Sequence, residues 1–480
     1  MNSFLSINLN LMQDKLALSR RQWITSAVAG ASALALEPPV ARGADSTGPL
    51  ASKMPHHRAA AKQVIVLYMS GGYSHVDTFD PKPRLTRDHD EPIGLEEKPQ
   101  AINYPRIERY LKAPLWKFRP NSLCGTEVSD LFPNLRNEMH QIALIRSMHC
   151  DHSDHAEATL QLHTGSTGVV MPSLGAWLSY GLGTSNGELP SHMVISEHRP
   201  YNGPLLYSAN FLPGSHTGVR VLPGEEPLPH LAPRIPREIQ DLEFGLLDRM
   251  NDHHLSSRGG DSQLRGRAAA FHAARGLMEA APEALDLNRE TASTLRLYGT
   301  EPGDAKSYAS QCVMARRLIE RGVRFVEIID SVGSCADNWD TAHNDVATHA
   351  KYAQRVDQPI AALIRDLDQR GLLDETLLVF CTEFGRTPWA QDGKGTPGRA
   401  HHPHAFSCWL AGGGVKRGVV HGQSDEIGDR VAADAVHIHD FHATILHLLG
   451  LDHERLIFRH AGRDFRLTDV YGHVVEEILA

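Results

Sequence analysis

The chain alternates short, wholly apolar runs with longer stretches of helical periodicity. Val64-Ile65-Val66-Leu67-Tyr68-Met69 is continuous, ends at Ser70-Gly71-Gly72, and predicts a strand buried on both faces. Apolar or mainly apolar runs predict further strands at Ile142 to Ile145, Val323 to Ile329, Thr376 to Cys381 and Ala405 to Leu410. Between them the pattern predicts helices at Leu131 to His140, Ala156 to His163, Tyr308 to Arg321, Ala350 to Arg370 and Phe441 to Leu449. Gly322 suits a helix C-terminus, and Pro359 predicts a break or kink. Residues 80–125 read as an irregular excursion. Residues 185–235, dense in Pro and Gly, read as a surface insertion, and residues 237–300 as a mainly helical insertion. Strand–helix alternation without an internal repeat predicts an α/β domain: a doubly wound, mostly parallel sheet with helices on both faces. Ligands of such sheets sit at the carboxyl ends of strands.

The first 45 residues read differently. Ser19-Arg20-Arg21-Gln22-Trp23-Ile24 is a twin-arginine pattern, followed by small apolar residues from Ala27 to Leu36. That stretch is too short for a stable anchor. It predicts a signal segment cut after Ala33-Leu34-Ala35 or later, near Ala44, and a single domain over 46–480 in the periplasm or outside the cell. No other stretch has transmembrane length.

Composition sharpens the chemistry. A net charge of −9 argues against a nucleic-acid partner. The six cysteines are scattered and form no CxxC pair. The 29 histidines are many, and much of the excess is clustered behind predicted strands, which points to metal. After the first strand come His75 and Asp77. Before and at a helix start come Asp151, His152, Ser153, Asp154 and His155, where Ser153 or Asp154 can cap. After the strand ending at Ile329 come Asp340 and His343. Carboxylate with imidazole suits Zn, Mn or Fe better than Ca. Glu383 directly follows a buried strand; Arg386 is either its ion-pair partner or, if metal holds Glu383, a clamp for an anion. His402, with His401 as alternative, offers a third imidazole to the Asp340/His343 ion. No Walker loop, GxGxxG after a strand or HExxH is present.

Gly71-Gly72…Ser74-His75…Asp77-Thr78-Phe79-Asp80-Pro81, His155-Ala156…Thr164-Gly165, Trp339-Asp340…His343, Glu383-Phe384-Gly385-Arg386-Thr387-Pro388, His401-His402-Pro403 and Gly462-Arg463-Asp464-Phe465 together resemble the bacterial family called domain of unknown function 1501. That family is similar to sulfatases and alkaline phosphatases, which hold two metals on a doubly wound sheet. The resemblance implies one or two divalent ions, with Asp340, His343 and His402 on the first. Glu383 stands where an Asp usually serves the second, and Asp77 or His75 replaces a missing carboxylate at Gly71-Gly72. It also implies an anionic small-molecule or polysaccharide ester as substrate. The nucleophile position holds His155 instead of Ser or Cys, expected as a ligand, a general base or, last, a covalent nucleophile, with Ser153 as the fallback nucleophile. Phe384 stands where His is usual, and no Cys-x-Pro-x-Arg motif exists. A degenerate member that binds a glycan or a protein is the competing expectation.

Overall fold

A computed structural model describes residues 50–93, 108–229, 231, 235–259, 261–331 and 337–480. The twin-arginine segment and Cys335 lie outside them. The sheet strands are β1 (Gln63–Met69), β2 (Ile142–His149), β3 (His192–Ile195), β4 (Val219–Val221), β5 (Phe325–Asp330), β6 (Thr376–Cys381), β7 (Phe406–Ala411), β8 (Val419–His421) and β9 (Val436–His437). Their order is β8-β2-β7-β6-β1-β5-β3-β4, with β9 also paired to β2. Pairing is parallel except at β7, which runs antiparallel to both β2 and β6.

β1 shows why the sheet is central. Ile65, Leu67 and Met69 enter one apolar cluster, and Val64, Val66 and Tyr68 enter the other. A strand alternates its side chains, so an all-apolar run needs cover on both faces. One cover contains α5 (Tyr308–Glu320) and α6 (His349–Gln369). The other contains α1 (His155–Thr164), α2 (Leu174–Leu182) and α7 (Ile438–Leu448). This is the expected mostly parallel α/β fold.

Two readings change. α6 runs through Pro359 without a break, because its apolar face, including Val356, Ile360, Leu363 and Leu367, is fully buried. That burial outweighs a missing backbone donor, which costs about 3 kcal/mol. The Pro/Gly-rich stretch is also no mere surface insertion, because it supplies β3 and β4 to the sheet. The helical stretch that follows holds α3 (Arg237–Ser257) and α4 (Ser262–Ala284). Among the described residues, no helix is long and apolar enough to cross a membrane.

Candidate metal centre

The site forms where β1, β2, β5 and β6 end. After β1, Gly71 and Gly72 take φ of +107° and +73°. A Cβ on Gly71 would lie 2.4 Å from Asn338 Oδ1 and from Asp340 N; one on Gly72 would lie 2.5 Å from the Phe384 ring. Only glycine permits both the conformation and the approach. The Gly71 amide donates to Glu383 Oε1 at 2.9 Å, and Thr382 Oγ1 donates to Oε2 at 3.0 Å. Glu383 is fully buried. Burial pushes its carboxyl up, but His155 and the Gly71 amide outweigh that and hold it below the usual range.

His155 is the first residue of α1, whose N-cap is Asp154. Its Nδ1 lies 2.8 Å from Glu383 Oε1. Its Nε2 lies 2.9 Å from Asp340 Oδ1, yet has no hydrogen-bond partner of adequate geometry. His401 mirrors this arrangement. Its Nδ1 lies 2.9 Å from the Ser153 carbonyl and its Nε2 3.0 Å from Asp340 Oδ1. Both acceptors on Nδ1 are oxygens, so each imidazole donates there and keeps its Nε2 lone pair for the space beside Asp340. His155 Nε2, Asp340 Oδ1 and His401 Nε2 form a donor group whose atoms all lie within 4.8 Å of one another. Two lone pairs facing a carboxylate oxygen repel unless a cation or a proton lies between them. Without an ion, burial opposes charge on His155, but the two carboxylates raise it to about 9. Burial, aided by Arg386, lowers His401 to about 4. Burial would also raise Asp340, but His155, His401 and Arg386 hold it well below the usual carboxylate range.

The other expected ligands face elsewhere. His401-His402 pairs antiparallel with Gly385-Arg386, so the two histidines point to opposite sides. His402 bonds the Asp429 carbonyl through Nε2, is buried, and is lowered to about 4 by that burial. His343 stands beside His401, ring centroids 5.2 Å apart, with Nε2 2.7 Å from Gln391 Nε2; it is outside the donor group. Asp77 is held by Arg399 Nε at 2.7 Å and by Ser74 Oγ at 2.5 Å. His75 Nε2 meets the Gly428 carbonyl at 2.9 Å, and burial lowers it to about 3. Ser153 is exposed and serves the site through its carbonyl.

Arg386 is neither Glu383's ion-pair partner nor an open clamp. It is fully buried and donates to the carbonyls of Gly72 (2.7 Å), Gly71 and Arg399 (3.2 Å) and to Asp340 Oδ1 (2.9 Å). Its donors serve the scaffold. Sequence reasoning missed Tyr201, which stacks on the His155 ring at 4.6 Å and 3°. The neighbouring Asn202 takes φ of +61° and donates to the Ala156 carbonyl at 2.6 Å, which ties this loop to α1. Phe384, where His was expected, covers the rings of His155 and His401 at 4.8 and 4.7 Å.

A search by fold returns weak likenesses. A lipoteichoic acid synthase from Listeria monocytogenes has 10% identity and a TM-score of 0.38, covering 87% of this chain and 78% of that one. An alkaline phosphatase superfamily protein from Vibrio parahaemolyticus has 12% identity and a TM-score of 0.34, covering 91% and 76%. A sulfatase from Pseudoalteromonas has 16% identity and a TM-score of 0.33, covering 83% and 69%. Scores this low carry no inference about chemistry. No curated protein matches the sequence. Residues 61–479, almost the whole described chain, match the family "Protein of unknown function (DUF1501)", and the chain belongs to that family.

Proposed function

We propose that the chain is an exported, metal-dependent hydrolase of sulfate, phosphate or related anionic esters, built around one divalent ion on His155, Asp340 and His401. One observation carries the reading: two imidazoles, His155 buried and His401 half-buried, each engaged at Nδ1 by an oxygen, turn Nε2 toward the same carboxylate oxygen. Two nitrogens and one oxygen suit Zn, Mn or Fe. When bound, such an ion polarises an ester oxygen and lowers the pKa of water. The remaining residues prepare that place. Glu383 fixes the His155 tautomer, and the Ser153 carbonyl fixes that of His401. Arg386 holds Asp340, and Tyr201 and Phe384 shield one side of the imidazoles from water.

In this reading His155 is a ligand, so a water molecule rather than a side chain attacks. The anion needs a cation other than Arg386. Asp77 and Glu383 have their carboxylate oxygens engaged by protein groups, and His75 spends Nε2 on the Gly428 carbonyl, which favours one ion over two.

A second reading has an observation of its own. Arg386 is spent on the scaffold and Phe384 closes the place of a usual ligand, as in a protein that binds an anionic glycan or a partner without turning it over. Elemental analysis of protein purified without added metal, together with p-nitrophenyl sulfate and phosphate turnover, separates the two. Stoichiometric metal with turnover supports the hydrolase. Metal without turnover on any ester supports the binder, and metal-free active protein overturns the centre itself.

A further inference from the structure

The helical hairpin beyond the core carries a surface that the metal centre does not use. α3 buries none of its side chains, and Ile239, Leu242, Leu246 and Met250 are 50, 71, 54 and 61% exposed. Spacings of three, four and four residues put all four on one helical face. The opposite side of α3 is the one fixed to α4. There Arg237 pairs with Glu279 at 3.2 Å, Arg275 with Asp241 at 3.2 Å, and His272 with Asp248 at 3.6 Å. Arg275 also covers the Phe244 ring at 5.3 Å. α4 is anchored in turn by buried Leu277, Ala281 and Ala284. The apolar row therefore looks away from the body that holds the hairpin.

Charge decides what suits the row. α3 carries Glu238, Asp241, Glu243, Asp248 and Asp252 against Arg237 and Arg249. A helix that lies on an anionic lipid surface needs the reverse balance. We propose that the row is the contact between two copies of this chain, with the two α3 helices antiparallel about a two-fold axis. Such pairing lays the row on itself, Ile239 against Met250 of the second copy and Leu242 against Leu246. The same register sets Glu238 opposite Arg249 of the second copy on one flank, and symmetry repeats the pair. Within its own chain Glu238 has no ion pair among the described residues, and Arg249 Nε reaches only the Gly245 carbonyl, at 3.2 Å. Glu243 comes near the axis on the other flank and opposes pairing, so the apolar row must carry the association. Two rows together bury on the order of 1,000 Å² before any rim contact, the lower edge of a specific interface.

Sedimentation equilibrium of the full chain tests this. The parent should be a dimer that dissociates in the micromolar range. Leu242→Asp with Leu246→Asp should give a monomer with an unchanged thermal transition, because both side chains are exposed in the single chain. Arg249→Glu should weaken the dimer about tenfold, and adding Glu238→Arg should restore it. A parent chain that stays monomeric at roughly 100 µM overturns the proposal. So does a dimer indifferent to the Leu242/Leu246 change. Flotation of a monomeric parent with phosphatidylcholine/phosphatidylglycerol vesicles, lost in that variant, would give the row to a membrane instead.

Discussion

Glu383 Oε1 and His155 Nδ1, both in buried residues, stand 2.8 Å apart, and that contact decides which nitrogen of His155 faces Asp340. The carboxylate accepts the Nδ1 proton, so Nε2 is the free atom. Glu383→Gln keeps the shape and removes the charge. The expected result is a 10–100-fold loss of zinc affinity in a chelator competition, the usual scale for a carboxylate behind a ligating histidine. Unchanged affinity would return Glu383 to the role of spectator.

His401 and His402 are neighbours with opposite duties. His401→Ala should lose the ion and keep its thermal transition within a few degrees. His402→Ala should keep the ion and lose roughly 1–3 kcal/mol of stability, because a buried bond to Asp429 disappears. Metal content beside a urea titration reads both. The opposite pairing of effects would place His402 in the centre.

Metal binding should release a proton. His155 without an ion is raised to about 9 by Glu383 and Asp340 against the pull of burial, so below that pH a proton must leave before a metal takes Nε2. Zinc affinity should climb with pH up to about 9 and flatten above it. Calorimetry in two buffers of different ionisation heat counts the proton. Equal heats in both would show that none is released.

Beneath the site His163 Nε2 meets Glu327 Oε1 at 2.8 Å, both buried. Burial lowers the imidazole, but Glu327 outweighs it and leaves its pKa raised. A raised folded value means that this pair stabilises fully below the unfolded pKa, about 6.5, and that its contribution fades as pH rises through the folded value. His163→Gln should flatten the fall in the urea midpoint as pH rises above about 6.5. A parent midpoint that stays level there would show that the folded imidazole holds no extra proton.

The sheet was legible because β1 is apolar on both faces and β6 nearly so, and such runs admit few other readings. β3 and β4 were not, since four and three residues inside a Pro/Gly-rich stretch make no period. The sequence brought forward Asp340, His155 and Glu383 as chemistry but could not assign partners. His401 or His402 turns on the parity of a two-residue bridge with Gly385-Arg386, a fact of pairing rather than of composition. Arg386 looked available because a sequence does not reveal that four carbonyls converge on it. Tyr201 left no signal, because its contact with His155 depends on how a long connection returns to α1.

One guanidinium joins the turn after β1, the Asp340 turn and the bridge that carries His401. Each segment alone is a loop that could loosen on its own. Threaded through Arg386, they open together or not at all, so the ligands of the centre inherit the rigidity of the sheet rather than the mobility of loops. A substitution of Arg386 should therefore show first as a loss of folded protein, since three segments lose their common tie at once.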